Sequence, residues 1–133
     1  MEEVLDYPND TFDYVILSQT LQQVYNPDKL LQEILRIGKR VIVSFPSFSY
    51  WNIRIQLMFH GRAPVSKELP YQWYDTPNIR VIPLKDFRTF CNQFGFEIVK
   101  ETAIASDPKE EQGKIVTFLP DLFAKHGIFM LEK

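Results

Sequence analysis

The chain has 133 residues, of which 45% are hydrophobic and 24% charged, with a formal net charge of -2. This length suits one domain over residues 1–133, and the charge gives no reason to expect a nucleic acid or an anionic membrane as partner. A single cysteine, Cys91, excludes an internal disulfide and a zinc site built from several cysteines. No apolar run approaches the ~20 residues of a membrane span and no signal peptide begins the chain, so a cytoplasmic protein is expected.

The first predicted unit is a strand, a helix and a second strand joined by short links. Residues Phe12–Ser18 (FDYVILS) contain a continuous apolar run, which predicts a strand covered on both faces. Asn26–Asp28 (NPD) suits a helix start with Asn26 as the cap, and Gly38 suits a left-handed residue at its end. Arg40–Phe45 (RVIVSF) is then a second buried strand, so this unit is a parallel, right-handed βαβ.

The middle of the chain is less regular. Trp51–Phe59 alternates apolar and polar residues as a strand does, yet its apolar positions also fit one helical face, so periodicity leaves both structures open. Gly61–Arg80 carries several prolines and an aromatic cluster, which predicts irregular structure.

The clearest helix is Leu84–Phe94, ended by Gly95. Its apolar residues follow the spacing i, i+3, i+4, i+7 and predict a core stripe of Phe87, Phe90, Cys91 and Phe94. Phe96–Ile104 is predicted to be a strand, Leu119–Lys125 a short helix or turn, and Gly127–Leu131 a final strand. This order of elements indicates an α/β protein.

Five blocks of the sequence carry a more specific likeness, and they are FDYVILSQTLQ (Phe12–Gln22), LLQEILRIGKRVIVSFPSF (Leu30–Phe48), GRAPVSKELPYQWYDTPNIR (Gly61–Arg80), LKDFRTFCNQFG (Leu84–Gly95) and LPDLFAKHGIF (Leu119–Phe129). In these blocks the chain resembles the methionine biosynthesis protein MetW family, in register over nearly its whole length. The resemblance implies a Rossmann-like class I methyltransferase fold. This chain would be its C-terminal part, strands four to seven with their helices, with strand seven antiparallel and the first three strands missing. The resemblance also favours a helix at Trp51–Phe59.

The resemblance implies that full-length relatives bind S-adenosylmethionine. In such folds a Gly-rich turn after the first strand and an acidic residue after the second hold the cofactor. The five glycines of this chain are widely spaced and form no G-x-G sequence. The truncated chain is therefore expected to bind no S-adenosylmethionine by itself.

Ligands of open α/β sheets bind beyond the carboxyl ends of the strands. Ser18, Gln19 and Thr20 occupy that position after the first strand and are candidate cofactor-binding residues, with a plain polar turn as the alternative. Pro46 follows the next strand at the same edge and is a candidate for binding a substrate or a partner, with ending the strand as its simpler role. The sequence contains no recognisable nucleophile and base pair, and His60 and His126 have no metal-ligand spacing, so no catalytic or metal residue is assigned.

The irregular segment holds a second set of candidates for binding a substrate or a partner, and they are Arg62, Tyr71, Trp73, Tyr74, Asp75, Thr76 and Asn78. Class I methyltransferases usually place acceptor-recognition segments in this region. Aromatic faces with one carboxylate suit a cationic small molecule, but they equally suit a packed lid or an anchor for a protein partner. Arg62 is a candidate carboxylate ligand, with an ordinary surface position as the alternative.

The resemblance implies a function in methionine biosynthesis with homoserine O-acetyltransferase as the partner. The first hypothesis is a methyltransferase-like accessory protein that supports this acyltransferase and senses S-adenosylmethionine. The alternatives are an S-adenosylmethionine-dependent methyltransferase of small molecules and a remnant with neither activity.

Overall fold

The computed structural model describes residues 7–63, 65, 70, 72–77, 80–105 and 115–132. The helices and strands in these ranges are, in chain order, β1 (Phe12–Ser18), α1 (Pro27–Ile37), β2 (Gly38–Pro46), α2 (Trp51–Ile55), α3 (Leu84–Phe94), β3 (Glu97–Ile104), α4 (Pro120–Phe123) and β4 (His126–Glu132). A 3-10 turn at Leu21–Gln23 follows β1, and a π-helical turn at Gln56–His60 continues α2. The helix favoured by resemblance at Trp51–Phe59 is thus confirmed.

The strands form one sheet in the order β1-β2-β4-β3. β1 and β2 are parallel, with α1 between them in sequence, as the first predicted unit requires. β4 is antiparallel to both β2 and β3 and lies between them. The chain therefore ends as the resemblance implies, with its last strand inserted in reverse direction.

Helices α1 and α3 contribute to one core over one face of the sheet. The rings of Phe45 in β2 and Phe87 in α3 lie 5.0 Å apart between centroids, and the rings of Phe87 and Phe129 in β4 lie 4.6 Å apart. The predicted core stripe on α3 is only partly buried. Phe87 and Cys91 are fully enclosed, but Phe94 is exposed because α3 ends at that residue.

Gly38 and Gly95 each follow a helix, but different constraints require glycine at the two positions. Gly95 after α3 has a φ of +76°, the left-handed conformation that was predicted. At Gly38 the prediction of a left-handed residue is wrong, because its φ is -119° and it begins β2 directly. A Cβ at Gly38 would lie 2.6 Å from Cγ2 of Val15, so space and not backbone angle requires glycine there.

Asn26 precedes α1 at the cap position, but its side chain makes no capping hydrogen bond. Its carbonyl oxygen accepts the N–H of Leu30 at 3.1 Å, and Pro27 occupies the first turn of the helix. The start of α1 therefore depends on the fixed φ of proline more than on the asparagine amide.

The prediction that both faces of β1 are covered is wrong. Tyr14 is exposed and Ile16 is 69% exposed, because the core helices α1 and α3 lie on the opposite face and β1 is at the margin of the sheet. Ile16 pairs with Ile42, and Ile42 pairs with Met130. An apolar row therefore crosses the face of the sheet that these two helices leave open.

The two edges of the sheet differ in character. β3 has an irregular register between Ile98 and Lys100, and its Glu101 is 2.8 Å from Nε of Arg88. Irregularity and charge are features that protect natural sheet edges from pairing with other chains. β1 has a regular ladder to β2 and only one charged residue, Asp13. β1 thus has the character of an interior strand although it lies at an edge.

We expect the 133-residue chain, purified alone, to self-associate through β1, because the apolar row that begins at the exposed Ile16 lies at an edge of the sheet. The variant Ile16→Lys places a charge on that row and should shift the chain towards monomer in sedimentation velocity. The matched variant Val99→Lys on β3, also at an exposed apolar position, should leave association unchanged. A wild-type chain that is monomeric and melts in one sharp transition would contradict this expectation.

A second expectation concerns the dependence of stability on pH. Burial raises the pKa of the Cys91 thiol to about 12, whereas an unfolded cysteine has a pKa of about 8.5. Above about pH 8.5 the unfolded chain loses a proton that the folded chain keeps, so the free energy of unfolding falls as the pH rises.

The slope due to this thiol approaches ~1.4 kcal/mol per pH unit between the two pKa values. Urea denaturation at a series of alkaline pH values should therefore show a steeper loss of stability for the wild type than for Cys91→Ala. Parallel profiles for the two proteins would show that the thiol is ionised equally easily in both states.

Candidate functional site

The polar residues that follow β1 form a sharp turn at the carboxyl edge of the sheet. Gln19 has a φ of 51°, a left-handed conformation that residues other than glycine rarely adopt. Its N–H donates a hydrogen bond to the carbonyl oxygen of Ser44 in β2 at 2.8 Å, and the Thr20 hydroxyl donates to the carbonyl oxygen of Ser18 at 3.1 Å. Backbone strain of this kind persists only where the surrounding structure enforces it, and it is common at ligand sites.

Gln22 is a buried polar residue in the same turn, and sequence reasoning missed it. Its residue is 4% exposed, and its amide oxygen Oε1 has no hydrogen-bond partner among the described residues. A buried oxygen left without a partner costs roughly 1–3 kcal/mol, so a ligand or a water molecule is the usual explanation. The sequence gives no indication that Gln22 is buried, because a glutamine in a polar turn is ordinarily exposed.

Arg80 connects the segment before α3 to the turn after β1 by hydrogen bonds. Its backbone N–H donates to the carbonyl oxygen of Gln22 at 2.9 Å, and its Nε donates to that of Val24 at 3.2 Å. Its Nη2 donates to the carbonyl oxygen of Tyr25. Sequence reasoning did not assign this role to Arg80, although the residue lies in one of the blocks that carry the family resemblance.

Pro46 and Ser47 continue the carboxyl edge at the end of β2. Pro46 is the last residue of β2 and is buried, which agrees with its simpler predicted role of ending the strand. The N–H of Ser47 donates to the carbonyl oxygen of Lys125 at 2.8 Å, and its hydroxyl lies 3.0 Å from that of Ser49. Because Ser18 pairs with Ser44, the turn after β1 and the end of β2 lie at the same edge.

These groups fit one side of a site for a polar cofactor. The hydroxyls of Ser18 and Thr20 can form hydrogen bonds with the polar groups of a molecule such as S-adenosylmethionine, and the buried amide of Gln22 follows them in the same turn. The Gly-rich turn that approaches this cofactor has no counterpart in the 133 residues, which contain no G-x-G sequence. The residues present therefore fit part of such a site and not the whole of it.

The second group of candidates surrounds a cleft beside the π-helical turn. The cleft has a volume of about 910 Å³ and is lined by Gln56, Phe59, His60, Gly61, Arg62, Ala63, Val65, Gln72 and Trp73. The N–H of Val65 donates to Oε1 of Gln56 at 3.0 Å across the start of this loop. The structure thus brings Arg62 and Trp73 together, as two of the predicted binding residues.

The other residues of the aromatic block lie next to this cleft in sequence. The ring of Tyr74 meets that of Trp73 edge to face, with centroids 5.6 Å apart. Asp75 is exposed and Thr76 is partly buried, and the N–H of Asp75 donates to the carbonyl oxygen of Gln72 at 3.3 Å. Tyr71 and Asn78, which were also predicted as binding residues, lie outside the described residues.

Phe59 and Met58 are exposed residues that sequence reasoning did not select. Phe59 faces the same cleft as Trp73, and Met58 precedes it in the π-helical turn. Phe59 fits the apolar face of the alternating pattern and Met58 fits the apolar face of the helical one, so both patterns indicate buried residues. Their exposure becomes visible only in the folded chain.

The described part of the chain limits the chemistry that can be assigned. Within it, no three His, Cys, Asp or Glu side chains are grouped so that they could hold a metal ion. None of its helices is long and apolar enough to cross a membrane. Cys91 is buried in the core and so is no nucleophile for a ligand at the carboxyl edge.

Comparison with known proteins identifies a family and one related protein. The family model for methionine biosynthesis protein MetW matches residues 1–131 of the chain. A bifunctional methionine biosynthesis protein MetXA/MetW from Rhodopirellula baltica is 43% identical over 94 residues, which are 70% of this chain and 15% of that protein. The chain therefore spans only a small part of the length of this relative.

Solved structures of methyltransferases share the fold. An S-adenosylmethionine-dependent methyltransferase from Thermotoga maritima, described as a possible histamine N-methyltransferase, has a TM-score of 0.62 and 17% identity, covering 96% of this chain and 58% of its own. A second such methyltransferase, from Archaeoglobus fulgidus, has a TM-score of 0.58 and 14% identity, covering 99% of this chain and 64% of its own. These likenesses confirm the predicted methyltransferase-like α/β fold, and at such identities they concern the fold alone.

Proposed function

The chain belongs to the MetW family of methionine biosynthesis proteins, and we propose that it is a methyltransferase-like accessory protein that supports homoserine O-acetyltransferase. The observation that carries this proposal is the Rhodopirellula baltica relative, in which MetXA and MetW are joined in one protein. Covalent joining holds two modules at a high effective concentration, which suits modules that act on one another.

In this proposal S-adenosylmethionine is a ligand that the protein senses and does not consume. The carboxyl edge offers hydrogen-bonding groups in Ser18, Gln19, Thr20 and Gln22. It does not place a recognisable nucleophile and base together among the described residues. This edge suits the binding of S-adenosylmethionine, which is made from the methionine that the pathway produces. Binding of S-adenosylmethionine would then change how strongly the protein supports the acyltransferase.

We further propose that these residues work within a larger domain, in the cytoplasm. The regular ladder and exposed apolar row of β1 suit pairing with one more strand. Both structural neighbours are longer than the part that this chain matches. A complete cofactor site would then combine the edge described above with backbone from outside the 133 residues.

The second candidate function is that of a methyltransferase for small molecules, favoured by the cleft that Phe59, Arg62 and Trp73 line. Aromatic faces beside a polar rim suit an acceptor molecule. Methyl transfer needs little beyond alignment and desolvation of donor and acceptor, so the lack of an assigned base does not weigh against it.

One set of measurements on the protein as its organism makes it separates the two functions. Calorimetry should detect saturable binding of S-adenosylmethionine, no S-adenosylhomocysteine should form, and acyltransferase activity should rise when the protein is added. An acyltransferase that does not respond would rule out the accessory function. Formation of S-adenosylhomocysteine with a small-molecule acceptor would favour the second candidate.

A variant of Gln22 tests the carboxyl edge. Gln22→Met removes a buried oxygen that lacks a partner and keeps the volume of the side chain, so the thermal midpoint should stay level or rise. Because the variant also removes a hydrogen-bonding group from the edge, we expect the affinity for S-adenosylmethionine to fall about tenfold, or ~1.4 kcal/mol.

The matched control is Gln23→Met, since Gln23 is exposed in the same turn. It should leave both the thermal midpoint and the affinity unchanged. Equal affinities for the two variants and the wild type would remove Gln22 from the site.

A further inference from the structure

Helix α2 and the π-helical turn after it expose most of their apolar side chains. Between Trp51 and His60, Ile53 is the one buried residue. Leu57, Met58 and Phe59 are all exposed at the end of this segment. A π-helical turn is rare and is often found at functional sites. This segment is therefore a candidate binding surface.

Two more exposed aromatic side chains, Trp73 and Tyr74, lie at or next to the same cleft. Phe59 and Trp73 line the same cleft, and the rings of Trp73 and Tyr74 are in contact. Each of the four side chains Met58, Phe59, Trp73 and Tyr74 is at least 71% exposed. These four residues are called the aromatic arm below.

The aromatic arm is large for an exposed apolar patch on a single protein. Each of its three rings presents on the order of 150 Å², so with Met58 the arm reaches the upper end of the ~300–600 Å² that the largest patch on a typical monomer covers. A standard complex buries about 800 Å² on each partner, whereas an obligate homodimer buries well over ~1,000 Å² on each. The arm therefore matches a separate protein partner better than a second copy of the chain.

A charged residue also lies beside the aromatic arm. Arg62 is exposed and lines the same cleft as Phe59 and Trp73. An acidic group on a partner can pair with this guanidinium, which favours a partner of complementary charge.

We propose that the aromatic arm is the surface on which homoserine O-acetyltransferase docks, with an apolar pocket and an acidic rim on that enzyme as its counterpart. This inference rests on the accessory function proposed above. The joined relative supports the choice of partner, because it carries an acyltransferase and a chain of this family in one molecule. Exposed tryptophan, tyrosine and arginine are the residues that most often carry binding energy in protein interfaces.

The test measures binding of the protein, as its organism makes it, to the homoserine O-acetyltransferase of the same organism by surface plasmon resonance. Phe59→Asp and Trp73→Ala should each raise the dissociation constant at least tenfold. The matched control is Tyr25→Asp, because Tyr25 is 77% exposed and lies outside the arm. It should change the dissociation constant less than twofold. Equal thermal midpoints for the variants and the wild type would exclude loss of folding as the cause.

The outcomes distinguish this inference from the function on which it rests. Wild-type binding that both arm variants retain would overturn the docking surface while leaving the accessory function in place. No binding by the wild type would overturn both. A homodimer that Phe59→Asp dissociates would assign the arm to a second copy and also overturn the inference.

Discussion

Three phenylalanine rings join helix α3 to the sheet and thereby hold the end of β2 in place. Phe45, Phe87 and Phe129 have ring centroids between 4.6 and 5.7 Å apart and come from β2, α3 and β4. Their close packing depends on Gly127, where a Cβ would lie 2.4 Å from Cδ2 of Leu84. Since Phe45 is followed by the end of β2, the contacts that fix its ring also fix the strand end beside which the turn after β1 folds.

Elements that depend on neighbours in the sequence could be predicted, and features that depend on distant contacts could not. β1 and α3 begin and end at the predicted residues, because an apolar run and a helical spacing are local signals. The reason for Gly38 was misjudged because it comes from Val15, which contacts it only in the folded sheet. The exposure of β1 was missed for a similar reason, since an apolar run does not reveal whether a second layer of helices is present.

In the candidate site, too, features with local signals could be predicted and features that depend on distant contacts could not. A general rule about α/β sheets is enough to locate Ser18, Gln19 and Thr20 at the carboxyl edge. The burial of Gln22 could not be predicted, because the hydrogen bonds from Arg80 that close over its turn come from a different part of the chain. The cleft likewise joins Phe59 to Trp73, and periodicity within either segment says nothing about that meeting.

The hydrogen bonds of Arg80 have a consequence for how this family can vary. They hold Arg80 beside the turn after β1, while the π-helical turn ends at His60, so the chain between these two residues joins two fixed points. Lengthening a connection between fixed points costs little free energy, about 0.6 kcal/mol for each doubling. The length of this connection can therefore differ between related proteins without moving the carboxyl edge of the sheet.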